Sequence, residues 1–427
     1  MSSAITRAVV CAVVLALATA VATQAPAPVQ LAVPGRASAN VWLAASGKRV
    51  AAVWGARAAD GTTDVYLATS GDGGRTFASP VRVNDRQGVR INGETAPHVT
   101  FAERRGQAPA IDVLWVARDS ATTIRMARSV DGGRTFGASR ELQTPGAAGD
   151  RGWATMTSDA RGVTQALWLD HRGMAAQRAA MQAAMAAGQG MAHQHAAAGE
   201  GDDAGASGSA VYYFDGTKER PITASVCYCC KTALAVGPDG TIFAAWRHVY
   251  PGNFRDIAMA ASTDGGRMFG PVSRVSEDHW QLNGCPEDGP SVAVDPTGTA
   301  HIVWPTVVTE PVPHKALFYA TTRNGRTFSA RARVSSPPRN IDHPQIVVGP
   351  GGEAAIFWDE VVSGHRRVFL SRKDWEGQFG MAEQVSDATE ASYPMGVFSD
   401  GGVVVAWTEG IGSNTHITVR RLPGRMP

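Results

Sequence analysis

With 427 residues and a formal net charge of +2, the chain has no strongly basic balance of the kind that nucleic-acid binding requires. Charged residues make up only 18% while glycines number 47, a mix that suits an all-β fold with many tight turns. Beyond the N-terminus no apolar run is long enough to span a membrane.

The chain begins MSSAITRAVVCAVVLALATAVATQAPAPVQ. Arg7 is a minimal positive segment, Ala8–Ala22 a short apolar run, and Ala20-Val21-Ala22 an A-x-A-type cleavage site. Together they predict a secretory signal peptide over residues 1–22 and a mature, exported chain of 23–427, periplasmic or secreted. The apolar run falls short of the roughly 20 residues of a spanning helix. Cys11 leaves with the signal, so four cysteines remain: Cys227, Cys229, Cys230 and Cys285. An even number in an oxidising compartment favours disulfides.

Short apolar segments ending in tryptophan then recur along the chain. They are RVAAVW at Trp54, AIDVLW at Trp115, VTQALW at Trp168, TIFAAW at Trp246, TAHIVW at Trp304, EAAIFW at Trp358 and GVVVAW at Trp407. Each follows another short strand and, in most units, a glycine-containing turn such as VGPDG or VDPTG. Third strands follow, such as DVYLATS and ALFYATT, and then fourth strands such as PVRVN and RARVSS. Four short antiparallel strands per unit describe a β-propeller blade, and seven tryptophans predict a seven-bladed β-propeller in one domain. A six-bladed ring is the alternative. The last unit has only three strands, from Tyr393 to Leu422, and the segment Pro28–Val33 supplies the missing one. Pairing the two closes the ring and covers an edge.

Three units carry one signature between their third and fourth strands: SGDGGRTF at 70–77, SVDGGRTF at 129–136 and STDGGRMF at 262–269. TTRNGRTF, ending at Phe328, is one residue shorter, and SRKDWEGQF is a decayed copy. The chemistry is that of a turn: the aspartate accepts backbone hydrogen bonds, glycine takes the positive φ, and the aromatic packs between blades. The signature resembles the Asp box, or bacterial neuraminidase repeat, of the sialidase superfamily, over nearly all of the mature chain. The resemblance implies a glycan ligand and places Asp72, Asp131 and Asp264 in structural turns on the face away from the active site. It also implies a catalytic set of three arginines, a tyrosine–glutamate nucleophile pair and an aspartate acid/base. Here the candidates are Tyr393 and Glu287, with Asp288 beside it. The chain departs from the family in lacking the Arg-Ile-Pro motif, for which VPGRASANVW is the nearest text, and in its blade count, since sialidase propellers have six.

In a propeller the loops entering each blade share a face with the loops after each second strand, and ligands bind there over the channel. The entering loops bring Glu94, His98, Arg151, Lys231, Glu287, Asp288, Asp342, His343 and Tyr393 to one rim, together with Cys229, Cys230 and Cys285. The loops after the tryptophans add Arg57, Arg118, Asp170, His171, Arg172, Arg247, His248, Arg255, Asp359, Glu360 and Glu409. Arg57, Arg118, Arg172, Arg247, Arg255, His98, Asp342 and His343 are the candidate ligand-binding residues. The alternative plain reading is a solvated polar rim, which every propeller has.

An insertion at about 172–210 interrupts the third unit. Residues from about Met174 to Ala187 read as an alanine-rich helix with Met174, Met181 and Met185 near one face. Met191, His193 and His195 follow, then a Gly/Ala/Asp tail that reads as flexible linker. Thioether and imidazole form a soft ligand set that suits copper, above all Cu(I). The bland alternative is low-complexity filler. The stretch SVCYCC places Cys227, Cys229 and Cys230 at the entry to the fourth unit, and Cys285 enters the fifth. One disulfide from Cys285 to the cluster and a second within it is one reading; copper or redox ligation is the other.

The sequence thus describes an exported, monomeric, sialidase-like propeller that binds a glycan on the rim, with no cofactor required. An active exo-glycosidase using Tyr393 is one alternative. A copper-binding protein using the Met/His insertion and the cysteines is another.

Overall fold

The computed structural model describes residues 27–186, 208–282, 284, 286–310, 312–334, 340–373, 377–387 and 390–424. The expected signal peptide, Met191, His193, His195 and Cys285 lie outside them. Seven antiparallel sheets follow one another along the chain, so the ring has seven blades rather than six. Their inner and second strands are Arg36–Ser46 and Arg49–Ala58, His98–Ala102 and Ala110–Arg118, and Arg151–Ser158 and Thr164–Asp170. Blades four to seven continue with Ala233–Val236 and Ile242–Arg247, Ser291–Val294 and Ala300–Val308, Ile341–Val348 and Ala354–Val362, and Ala391–Ser399 and Gly402–Glu409. Most outer strands are only two residues long, such as Val81–Arg82 in blade one, and their brevity blunts the exposed sheet edges.

The N-terminal segment closes the ring as expected, with three paired residues in place of the six foreseen. Val29, Gln30 and Leu31 pair with Val419, Thr418 and Ile417 of blade seven. Blade three is interrupted by a helix, Arg172–Ala186, close to the span read from the sequence. None of its residues is buried, and Met181 and Met185 stand 49% and 53% exposed. No helix among the described residues is long and apolar enough to cross a membrane.

The hydrophobic core is divided into packed layers between neighbouring blades. Trp54 lies in the layer joining blades seven and one, Trp115 between one and two, and Trp246 between three and four. Each blade contributes one second-strand tryptophan, and all seven are at most 1% exposed. These strands are buried on both faces, which explains their unbroken apolar runs. The indole N–H also needs a partner. Trp168, Trp246, Trp358 and Trp407 each find one two residues on, at Asp170, His248, Glu360 and Glu409, at 3.0–3.3 Å.

The three aspartate turns lie on the face opposite the blade entries. Asp72 Oδ1 accepts from the N–H groups of Arg75 and Thr76, both at 2.9 Å, and from Ser70 Oγ at 2.7 Å. Asp131 repeats this arrangement, and Asp264 accepts from Ser262 Oγ and the Met268 N–H. Gly266 has a φ of +80°, and a Cβ there would meet the Tyr213 ring of blade three at 2.4 Å. Glycine at this position therefore satisfies both the turn and the blade contact.

Candidate functional site

The rim acquires its shape from a repeated irregularity in the inner strands. Register shifts fall between Ala39 and Trp42, Gly152 and Thr155, Asp342 and Gln345, and Ser392 and Met395. Each bulge holds a non-glycine residue at positive φ: Asn40 at 62°, Trp153 at 51°, His343 at 55° and Tyr393 at 55°. Bulges re-aim side chains, and left-handed non-glycine residues concentrate at functional sites. Asn40, His343 and Tyr393 border two connected spaces over the channel. The outer one is a cleft of about 580 Å³, lined also by Glu94, Glu287, Asp288, Lys315, Asp342 and Arg366.

The charges at this mouth alternate in sign. Lys231 Nζ stands 3.4 Å from Glu94 Oε2, and Glu94 Oε1 stands 3.3 Å from His343 Nε2. His343 Nδ1 meets Asp359 at 2.7 Å, and Asp359 contacts Arg366. Arg366 reaches Asp342 at 2.9 Å, Asp342 contacts Lys315, and Lys315 reaches Asp288 at 2.7 Å. Asp288 closes the loop on His343 by accepting from its backbone N–H at 3.4 Å, with Glu94 and Lys231 attached as a branch at the His343 ring. Four cations and four carboxylates from blades two, four, five and six thus form one circuit.

Burial opposes charge on His343, but Asp359 and Glu94 outweigh it and raise its pKa to about 9. Burial likewise raises the carboxyls of Glu94 and Asp288, and their cationic neighbours reverse the shift: Lys231 and His343 for Glu94, His343 and Lys315 for Asp288. Both lysines are held above their ordinary range by the adjacent carboxylates, against the effect of burial. Tyr393 completes the mouth. Its ring lies 3.8 Å from that of His343, its N–H donates to Asp359 at 2.7 Å, and its ring fills the space a side chain at Gly93 would need. Burial first, then Glu94, Asp359 and Asp288, push its hydroxyl pKa well above the usual value.

Of the residues expected on the rim, the structure gathers Glu94, Asp288, Asp342, His343 and Tyr393 around the cleft, with Glu287 exposed at its edge. His98 is buried lower in the channel, stacked on Trp42 with ring centroids 3.5 Å apart, and burial lowers its pKa to about 3. The five arginines do not converge on Tyr393. Arg57 and Arg118 are exposed at strand ends, and neither lines the cleft. Arg172 pairs with Asp170 and Glu219 at the foot of the helix. Arg247 is buried and donates to the carbonyls of Asp288, Arg255 and Pro305. Arg255 donates to Asn253 and to Cys227 Sγ. Lys315 and Arg366 were not foreseen. Both are the second residue of a third strand, His314–Thr322 and His365–Arg372, and third strands start on the entry face, so the topology that placed the other rim residues points to them too.

A second cluster lies at the entry to blade four. Cys227 and Cys230 are free thiols, so the second disulfide expected within the cluster is not formed. Cys229 is disulfide-bonded, its partner lying outside the described residues. All three sulfurs lie within 4.8 Å of one another and pack against Trp153 and Tyr228. Glu94, Asp288 and His343 also lie within 4.8 Å of one another, with Glu94 already paired to Lys231 and Asp288 to Lys315.

No family model matches the chain, and no curated protein matches it. Solved structures do. A protein of unknown function from Dyadobacter fermentans is 12% identical over 94% of this chain and 99% of its own, with a TM-score of 0.52. An ulvan lyase, described with its polysaccharide bound, is 11% identical over 91% of this chain and 94% of its own, also at 0.52. A sialidase from Trypanosoma rangeli is 12% identical over 93% of this chain and 60% of its own, at 0.47. At these identities the likeness shows the propeller fold alone.

Proposed function

We propose that the protein is an exported glycan-binding propeller whose ligand sits over the channel mouth. The observation that carries this reading is the circuit of alternating charges beside the Tyr393 ring. A sugar hydroxyl is both donor and acceptor, and the circuit offers carboxylate acceptors and ammonium or guanidinium donors in alternation. An aromatic face next to them suits the apolar face of a pyranose. The cleft, at about 580 Å³, falls within the size range of small-ligand sites. Export rests on the N-terminal segment and the glycan class on the resemblance of the aspartate turns to sialidase repeats. Hydrolysis with a tyrosine nucleophile draws no support from the geometry, because the candidate arginines are engaged elsewhere or do not line the cleft beside Tyr393.

The full mature chain, fluorescently labelled, is to be screened on a glycan array and its ligands titrated by calorimetry. Binding of a saccharide, weakened at least tenfold by Tyr393→Ala and by Asp342→Asn in folded protein, is the expected result. Folded protein that binds no glycan, or variants that bind as the wild type does, overturns the reading.

A further inference from the structure

We propose that Cys227 and Cys230 form a two-thiolate site for a soft monovalent cation, Cu(I). The stretch CYCC is a C-x-x-C pair with one more cysteine inside it. The chain bends there so that Cys227 Sγ stands 2.8 Å from Cys230 Sγ and 3.8 Å from Cys229 Sγ. Cys229 is committed to a disulfide, which leaves the outer two as free ligands, both at most 1% exposed. Their separation exceeds the roughly 2.05 Å of a disulfide bond. A bridging ion requires the two sulfurs to move apart, a change of the kind that a step between side-chain rotamers supplies.

The surrounding charge favours a metal over a second disulfide. Arg247 and Arg255 are 1% and 4% exposed. Neither forms an ion pair with a carboxylate among the described residues. Arg247 spends its N–H groups on three backbone carbonyls, and Arg255 Nη1 lies 3.5 Å from Cys227 Sγ. A guanidinium does not neutralise by losing its proton, and a buried cation without a counter-charge is strongly unfavourable. A disulfide is neutral and supplies none. Two thiols that take up Cu(I) release two protons and become a complex of net charge −1, which supplies it. Zinc would demand four ligands, whereas a thiolate pair selects Cu(I).

The insertion is rooted beside this site. Trp153 packs on the cysteines and lies 5.7 Å from the ring of His171, one residue before the helix. That helix holds Met174 in its first turn and carries Met181 and Met185 into solvent. The inference is independent of the glycan reading, which rests on the channel mouth.

The test presents Cu(I), held by the chromogenic chelator bicinchoninate, to the anaerobic full-length mature chain. One equivalent should transfer per chain, with a thiolate-to-copper absorption band and a sulfur ligand shell at the copper K-edge. C227S and C230S should each lower the transfer at least tenfold. A misfolded variant would also lose copper, so the band and ligand shell of the wild type carry the decision. Absence of transfer, a shell without sulfur, or undiminished transfer in C227S overturns the proposal. So does peptide mapping that finds Cys227 joined to Cys230 in protein taken from an oxidising compartment.

Discussion

His343 binds its proton more tightly in the folded chain than in the unfolded one, because Asp359 and Glu94 flank the ring. A raised pKa gives stability that is fully present below the unfolded value of 6.5 and is lost as pH rises through the folded value of about 9. Urea melts should therefore show the unfolding free energy falling between those two values, by on the order of 3 kcal/mol. His343→Gln should flatten the fall; an equally steep profile in that variant would place the titration elsewhere. The sequence placed His343, Asp342 and Tyr393 on the rim from their loops alone. It did not show what they touch, because ion pairing across blades depends on three-dimensional approach. Arg247 and Arg255 make the same point: their charge was legible, but the carbonyls and the sulfur that engage them were not.

At the level of the strand, the tryptophan spacing was the most legible signal in the chain. The second strands are nearly uniformly buried, and in four blades the residue two places on holds the indole, so W-x-D, W-x-H and W-x-E are readable as one device. Trp358, 1% exposed between blades five and six, should lose about 3–5 kcal/mol of stability on replacement by alanine, as judged from the urea midpoint. A loss under 1 kcal/mol would show that the layer repacks. The inner-strand bulges, by contrast, were not legible. Positive φ at Trp153 and Tyr393 runs against the preference of those bulky residues, so it is imposed by the blade around them.

For the molecule as a whole, the ring depends on one short splice between its ends. Leu31 is 5% exposed and pairs with Ile417, while packing in the layer shared by blades one and seven. Leu31→Asp removes that packing and buries a charge without a partner, which should lower the melting temperature and speed amide exchange along His416–Pro423. Unchanged exchange there would mean that blade seven holds without its fourth strand. This closure was foreseen from a count of three strands in the last unit, and only its length differed.

The balance of charge at the channel mouth also governs how a ligand arrives. The four positive and four negative groups of the circuit, at close range, cancel beyond about one Debye length, so the circuit itself adds little to the field that an approaching molecule feels until it is nearly in place. The circuit therefore contributes fit rather than steering, and the salt dependence of encounter falls to charges outside it, such as the exposed Glu287 at the cleft edge.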